Sequence, residues 1–303
     1  MKKQILNSYQ EALTSEKSDL REYVQCVDHT VSRETFQLIH ESENDLLMTC
    51  PQPEQDELAD YYKSEDYISH TDSRRSLFEK AYHLIRTYSL KKKLSILNKY
   101  SPSKGKLLDV GCGTGDFLRT CQADGWEVSG IEPNPQAQNI AREKLPGKSQ
   151  LFKEIDDLIL DGSQKFNVIS LWHVLEHIPN LLEFIDKLKS LLKPDGLLII
   201  AVPNFKSFDA TYYKKYWAAF DVPRHLWHFS ETSIRNVFGN ANMKVVQTLP
   251  MKFDSFYVSL LSEKYKTGSS NPIHAFWIGL KSNRKAKRDG AYSSLIYLIE
   301  NTN

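Results

Sequence analysis

The chain has 303 residues, with 39 Lys and Arg against 38 Asp and Glu and a formal net charge of +1. That near-balance gives no global electrostatic case for nucleic acid or an anionic membrane, and 41% hydrophobic with 25% charged residues is an ordinary globular composition. Cys26, Cys50, Cys112 and Cys121 form no CxxC pair; no apolar run approaches the roughly 18 residues of a membrane span, and no apolar segment follows the basic start, so a cytoplasmic protein is expected.

Residues 1–20 are polar and read as a loose helix. Tyr23–Met48 alternates irregularly, with β-branched stretches that predict a small hairpin. Pro51 and Pro53 then punctuate the chain before a tyrosine-rich stretch holding Tyr61, Tyr62 and Tyr67, which could line a ligand or pack onto the core. Ser73–Tyr100 has near-helical apolar spacing and ends at Ser101-Pro102.

Lys106–Glu132 (KLLDVGCGTGDFLRTCQADGWEVSGIE) carries the chemistry. Lys106–Val110 reads as a strand with Asp109 near its end, followed by Gly111, Gly113 and Gly115 alternating with Cys112 and Thr114. Alternate glycines at a strand-to-helix turn permit positive φ and close approach of a ligand to the main chain. Asp116–Asp124 is an amphipathic helix stopped by Gly125, and Trp126–Ile131 is the next strand. Glu132 stands at its carboxyl end, 17 residues after Gly115, where an acid suits a ribose diol. Pro133-Asn134-Pro135 starts another helix.

Residues 149–155 predict a third strand, with Glu154, Asp156 and Asp157 read as a solvated turn. Phe166–Trp172 is a near-continuous apolar run, as expected of a strand buried on both faces. A helix over Asn180–Lys193 and a turn at Lys193–Gly196 lead into a strand over Leu197–Val202. Strands alternating with helices argue for right-handed βαβ units and a parallel sheet. Ligands bind such sheets beyond the carboxyl ends of the strands, where Gly111–Gly115, Glu132, Trp172-His173 and Pro203-Asn204 are predicted to gather.

DVGCGTG with a following acid, the HVLEH segment after FNVISLW, and LKPDGLLIIAVPN resemble the class I S-adenosylmethionine (SAM) dependent methyltransferases. The resemblance covers about residues 75–250 by motif. It implies an α/β fold with a Rossmann-like, seven-stranded, mostly parallel sheet and helices on both faces. The expected domains are an N-terminal appendage over 1–72 and a methyltransferase domain over 73–303, with insertions at about 204–229 and 251–291. Some bacterial relatives hold zinc in an N-terminal ribbon with two CxxC pairs. Here Cys26 stands as a remnant, and Glu41 and Asn44 occupy the second pair's place, so a metal-free ribbon is expected and no metal ligands are assigned.

The cofactor implied is SAM, with S-adenosylhomocysteine as product. Asp109, Gly111, Cys112, Gly113, Gly115, Glu132, Pro133, Trp172 and His173 are its expected contacts. Asn167 replaces the family's usual Asp. Residues 204–229, too long and aromatic for a simple connection, are expected to form a lid. Its DVPRHL segment makes Asp221 and Arg224 acceptor-side candidates, with a lid-anchoring Arg224–Asp221 network as the alternative. His225 and His177 are the candidate bases; His177 equally suits a structural hydrogen bond. Lys281, Arg284, Lys285, Lys287 and Arg288 form a basic cluster, read as a solvated loop in preference to an anionic or peripheral membrane contact.

The sequence thus predicts methyl transfer to a small-molecule or glycan- or lipid-linked acceptor, with no nucleic-acid partner. A NAD-dependent oxidoreductase and a catalytically silent SAM-binding interaction module are the alternatives.

Overall fold

The structure is a computed structural model and describes residues 19–54, 57–62, 77–145, 147, 149–162 and 165–302, the side chains of 59 and 77–85 excepted. Residues 1–18, Tyr67 and the start of the helical pattern at Ser73 lie outside the described residues.

The elements follow in chain order. Strands β1 (Leu20–Val27), β2 (Thr35–Glu41) and β3 (Leu46–Cys50) come first, then helix α1 (Leu77–Tyr100). β4 (Lys106–Val110), α2 (Asp116–Ala123), β5 (Glu127–Ile131), α3 (Pro135–Lys144), β6 (Gln150–Phe152), α4 (Ile155–Leu160) and β7 (Phe166–Trp172) alternate thereafter. α5 (Leu181–Leu191), β8 (Leu192–Pro203), α6 (Phe208–Tyr213), β9 (Trp227–His228), α7 (Glu231–Asn240), β10 (Met243–Pro250), α8 (Asp254–Thr267), α9 (Pro272–Asp289) and β11 (Ser294–Asn301) complete the chain.

The seven-stranded sheet has the order β10-β11-β8-β7-β4-β5-β6. It is mixed and mostly parallel, as the α/β pattern predicts. β4 pairs in parallel with β5 and β7, aligning Val110 with Ile131 and with Leu171. Residues 111–115, 132 and 172 therefore leave their strands at one edge. Phe166, Val168, Ile169 and Leu171 are fully buried in β7, which accounts for its unbroken apolar run.

Two differences from the sequence reading appear here. β8 begins at Leu192, so Lys193–Gly196, read as a turn, already belongs to the strand; the Lys193 carbonyl accepts the Asn301 amide at 3.3 Å. The acids at 154–157 are not a bare solvated turn: Glu154 and Asp157 form the capping box that starts α4. Asn167 acts at the amino end of β7, where Oδ1 accepts from Lys106 N (3.0 Å) and Lys193 Nζ (2.9 Å).

The chain divides into two compact units. One comprises the N-terminal residues, His173–Ile185 and Ala201–Tyr297; the other runs from α1 to Trp172 and adds Asp186–Ile200 and Leu298 onward.

In the first unit the predicted hairpin is larger than expected. β1, β2 and β3 pair antiparallel, and β9, from the predicted lid, adds a fourth strand through Leu47↔His228 and Met48↔Trp227. The sheet packs Phe36, Leu38 and Leu47 against Phe205, Tyr213, Trp217, Phe220 and Ile278. Glu41 is buried and accepts the N–H groups of Glu43 (2.8 Å) and Asn44 (2.9 Å), closing the β2–β3 turn. Cys26 is buried, and desolvation pushes its thiol up to about 12, so it behaves as a small apolar residue.

α8 and α9 pack closely: a Cβ at Gly279 would lie 2.8 Å from Phe256 Cδ1. The basic cluster lies on α9 rather than in a loop. The ammonium groups of Lys281 and Lys285 sit 5.1 and 4.8 Å from the centre of the Phe208 ring. Lys287 and Arg288 fall in the last turn, where cations complement the helix dipole.

Candidate functional site

The Gly-rich turn is built by backbone geometry. Gly111, Gly113 and Gly115 have φ of 69°, 54° and 77°, a region open to glycine at little cost. Gly111 and Cys112 donate their N–H groups to the Ile131 carbonyl at 2.8 and 3.0 Å, fastening the turn to the end of β5. The space beyond Gly113 is open for 4 Å where a Cβ would project, while a Cβ at Gly115 would lie 3.0 Å from the Ala141 side chain. The first leaves room for a ligand at the main chain; the second lets α3 approach the turn.

Two acids face this turn from within the second unit. Glu132 is 8% exposed; one carboxylate oxygen accepts Gly113 N–H and the other Asn134 N–H, both at 2.8 Å. Each oxygen retains a lone pair for a further donor. Burial raises the pKa of Glu132, against the pull of those two bonds. Pro133 follows in the loop, and Asn134 caps α3 by accepting the N–H groups of Gln136 and Ala137.

Asp109, on β4, is buried and accepts a 2.6 Å hydrogen bond from Ser170 Oγ on β7. Desolvation pushes it up to about 7; Ser170 and the Lys93 charge oppose the rise and Glu132 adds to it. Trp172 ends β7 with its ring edge-on to Phe117 and 4.4 Å from Lys93 Nζ. Its indole N–H is buried and has no hydrogen-bond partner among the described residues. Cys112 is buried and its thiol raised by desolvation, so it lines the turn as an apolar group. Asp116 accepts from Thr114 Oγ1 at 2.9 Å and from Lys144 Nζ at 3.1 Å, and pairs with Arg86. It clamps the turn to α1 and α3.

The first unit assembles the remaining candidates. His173 has φ 58°, and its ring lies 3.4 Å from Glu176 (Nδ1–Oε1) and 3.1 Å from Asp254 (Nε2–Oδ2). Burial disfavours its charge, but the two carboxylates prevail and raise its pKa to about 10. The two carboxylates thus favour the protonated ring. Asp254 comes from the insertion at 251–291 and carries no motif signal.

His177 Nδ1 lies 3.0 Å from the Arg224 carbonyl and 2.9 Å from the Tyr62 hydroxyl. The tautomer protonated at Nδ1 donates to the carbonyl, and the other accepts from the hydroxyl. Burial, with the neighbouring His225, lowers His177 to about 4. His225 Nδ1 donates to the Ala219 carbonyl at 2.9 Å, and the two imidazoles meet edge to face at 4.6 Å.

Arg224 is buried. It forks onto Asp221 (Nε–Oδ2 2.9 Å, Nη2–Oδ1 2.5 Å), donates to the Tyr61 carbonyl at 3.0 Å and lies 3.5 Å from Asp28. This is the anchoring network the sequence offered as the alternative, extended to the N-terminal sheet through Asp28. Tyr61 and Tyr62 join it by a carbonyl and a hydroxyl.

A seven-stranded α/β sheet bearing a glycine turn, a diol-ready acid and a buried aspartate at one edge defines a nucleoside-binding protein of the SAM-dependent class. The family described as "Methyltransferase domain" matches residues 82–248, and the chain belongs to it. SAM is the cofactor of this class, and the open face at Gly113, the remaining lone pairs of Glu132 and the unpartnered Trp172 N–H fit it.

Among curated proteins, the chain is similar to the ubiquinone biosynthesis O-methyltransferase of Actinobacillus pleuropneumoniae serotype 5b (strain L20). They are 35% identical over 107 residues, 33% of this chain and 46% of the relative. The enzyme of the same description from Rhodopseudomonas palustris (strain TIE-1) is 32% identical over 109 residues, 34% of this chain and 42% of the relative. The chain thus spans less than half the length of these relatives. In fold it is similar to magnesium protoporphyrin IX methyltransferase from Synechocystis PCC 6803, solved with bound SAH. The TM-score is 0.54 at 17% identity, covering 82% of this chain and all of that one. Among the described residues, no helix is long and apolar enough to cross a membrane.

Proposed function

We propose that the protein transfers a methyl group from SAM to an oxygen of a small-molecule or glycan- or lipid-linked acceptor, with residues 73–303 as the catalytic domain and 1–72 as its appendage. The observation that carries this reading is the glycine turn held by Glu132, with Asp109 buried beside it. The choice of oxygen draws on the O-methyltransferases to which the chain is similar.

Bound SAM supplies an electrophilic methyl on a sulfonium sulfur. The chain's task is to align an acceptor with it, exclude water and remove a proton. Asp109 holds the methionine ammonium, directly or through water. The main chain of Gly111–Gly115, with Cys112 and Pro133, borders the amino-acid and sugar portions. Glu132 takes the ribose hydroxyls, and Trp172 and His173 close the methyl end. On the acceptor side, Arg224 and Asp221 hold the lid segment, and His225 and His177 are the candidate proton acceptors, His225 through Nε2 since its Nδ1 donates to the Ala219 carbonyl.

Calorimetric titration with SAM, S-adenosylhomocysteine and NAD tests the cofactor half. Both sulfur nucleosides should bind and NAD should not. Glu132→Ala should weaken binding by roughly 10- to 100-fold, as expected for hydrogen bonds to a charged group. Folded, nucleoside-free protein that binds neither nucleoside overturns the reading. Incorporation of label from methyl-labelled SAM into an added acceptor tests turnover.

A further inference from the structure

We propose that Glu176, His177 and His225 form a binding site for one divalent transition-metal ion, with Zn2+ its expected occupant. No metal ligands are expected from the sequence, where the N-terminal ribbon lacks its CxxC pairs; His225 lies 48 residues beyond His177.

The fold brings them together. Glu176 and His177 sit in the short turn after β7, and the Leu226 N–H donates to the Glu176 carbonyl at 2.8 Å, fixing the lid strand beside that turn. One ligand atom from each of the three side chains lies within 4.8 Å of the others. A tetrahedral zinc with bonds of 2.0–2.1 Å requires ligand separations of roughly 3.3 Å. Closure onto an ion therefore needs at most a contraction of about an ångström or two, within reach of side-chain rotation.

Glu176 is the second observation. It is 1% exposed, and among the described residues neither carboxylate oxygen accepts a hydrogen bond. A buried carboxylate in that state is costly unless another charge meets it. The His173 Nδ1 atom lies 3.4 Å from Oε1, and among the described residues no donor meets Oε2.

The histidines supply the third. His225 donates Nδ1–H to the Ala219 carbonyl at 2.9 Å. This is the outer-shell bonding that fixes tautomer and ring plane in metal sites and leaves Nε2 as the ligand. Two imidazoles and one carboxylate are a ligand set for Zn2+ with a position left open. The open position would accept water or, on the methyl-transfer reading, the acceptor oxygen, whose proton an adjacent dication makes easier to lose; with the ion bound, His177 and His225 serve as its ligands and the ion replaces them as the means of activating the acceptor. Ion binding itself does not rest on that reading.

The test uses the full chain after chelator treatment. Co2+ addition is followed by its visible ligand-field spectrum, and Zn2+ by competition with a chromogenic chelator. The expected result is saturation at one equivalent, with Glu176→Gln and His225→Gln each weakening affinity at least tenfold at unchanged circular dichroism. No saturable binding by the wild-type chain overturns the proposal, as does binding that both variants leave unchanged. Should either variant fail to fold, the wild-type titration decides together with the histidine nitrogen resonances, which must shift at one ring nitrogen each of His177 and His225. SAM titration on the same sample separates the two readings: SAM binding without metal binding sinks this proposal alone, and metal binding without SAM binding sinks the cofactor assignment alone.

Discussion

Ser170 donates a 2.6 Å hydrogen bond from β7 to Asp109 on the neighbouring parallel strand, satisfying one oxygen of a carboxylate that burial holds near a pKa of about 7. A carboxylate so placed is poised: an arriving ammonium selects its ionised form. SAM affinity should therefore fall about tenfold per pH unit below pH 7 and level off above it. Titrations from pH 5.5 to 8.5 measure this. Ser170→Ala removes a bond to the ionised form and should move the midpoint upward, while Asp109→Asn should bind weakly with no such slope. A flat profile in the wild-type chain rules out Asp109 as the ammonium partner.

The sign for stability runs the other way. Folded Asp109 takes up a proton more readily than the unfolded residue, whose value is near 3.8. The unliganded protein should gain stability from this group as pH falls from 7 toward 4. Denaturant midpoints of wild type against Asp109→Asn across that range report it.

Asp28 behaves oppositely. It accepts the N–H groups of Thr30 (2.9 Å), Val31 (3.2 Å) and Ser32 (2.7 Å). Burial opposes its charge, but these bonds and Arg224 outweigh it and hold the carboxyl down to about 2. Its stabilisation is complete above about pH 4 and lost as pH falls toward 2. Asp28→Asn should cost about 1–2 kcal/mol at neutral pH and converge with wild type in acid. Urea unfolding at the two pH extremes checks this, and a gap that persists at pH 2 contradicts it.

Gly130 is required by packing rather than by φ. A Cβ there would lie 2.7 Å from both Cys112 Sγ and Leu118 Cδ1 and 2.8 Å from Leu151 Cδ2. Gly130→Ala should cost about 1–3 kcal/mol and weaken SAM binding by displacing Cys112 in the turn. Melting temperature and calorimetry read the two effects separately.

Asp209 offers a matching test in the other unit. It accepts Trp217 Nε1 (2.8 Å), Ser282 Oγ (2.6 Å) and Ser293 Oγ (2.7 Å), tying α6, α9 and the start of β11 together. Asp209→Ala strands three buried donors and should cost about 3 kcal/mol or more, whereas Asp209→Asn, still able to accept through its carbonyl, should cost less. Equal losses would mean that packing, not hydrogen bonding, holds the junction.

The turn, Asp109 and Glu132 were legible because their geometry is set by covalent neighbours within one βαβ unit. The buried strands β7 and β8 were legible for the same local reason. Partnerships were not. Asp254 reaches His173 across 81 residues and His225 reaches Glu176 across 49, with no periodic signal joining either pair. β9 is two residues long, too short for alternation to announce it as the partner of β3. At Lys193–Gly196 the Pro-Asp-Gly composition reads as a turn, yet the strand runs through it.

The pairing of β3 with β9 also bears on what counts as a portable piece of this protein. The stretch shared with the methyltransferase family, 82–248, contains β9 but neither the three strands it completes nor β11, which separates β10 from β8 in the large sheet. Cut out alone, that stretch would carry an orphan edge and a gap in its sheet. The segment that descent conserves as a recognisable text is therefore smaller than the segment that can stand as an object, and a gene fragment drawn to the former inherits the words without the page.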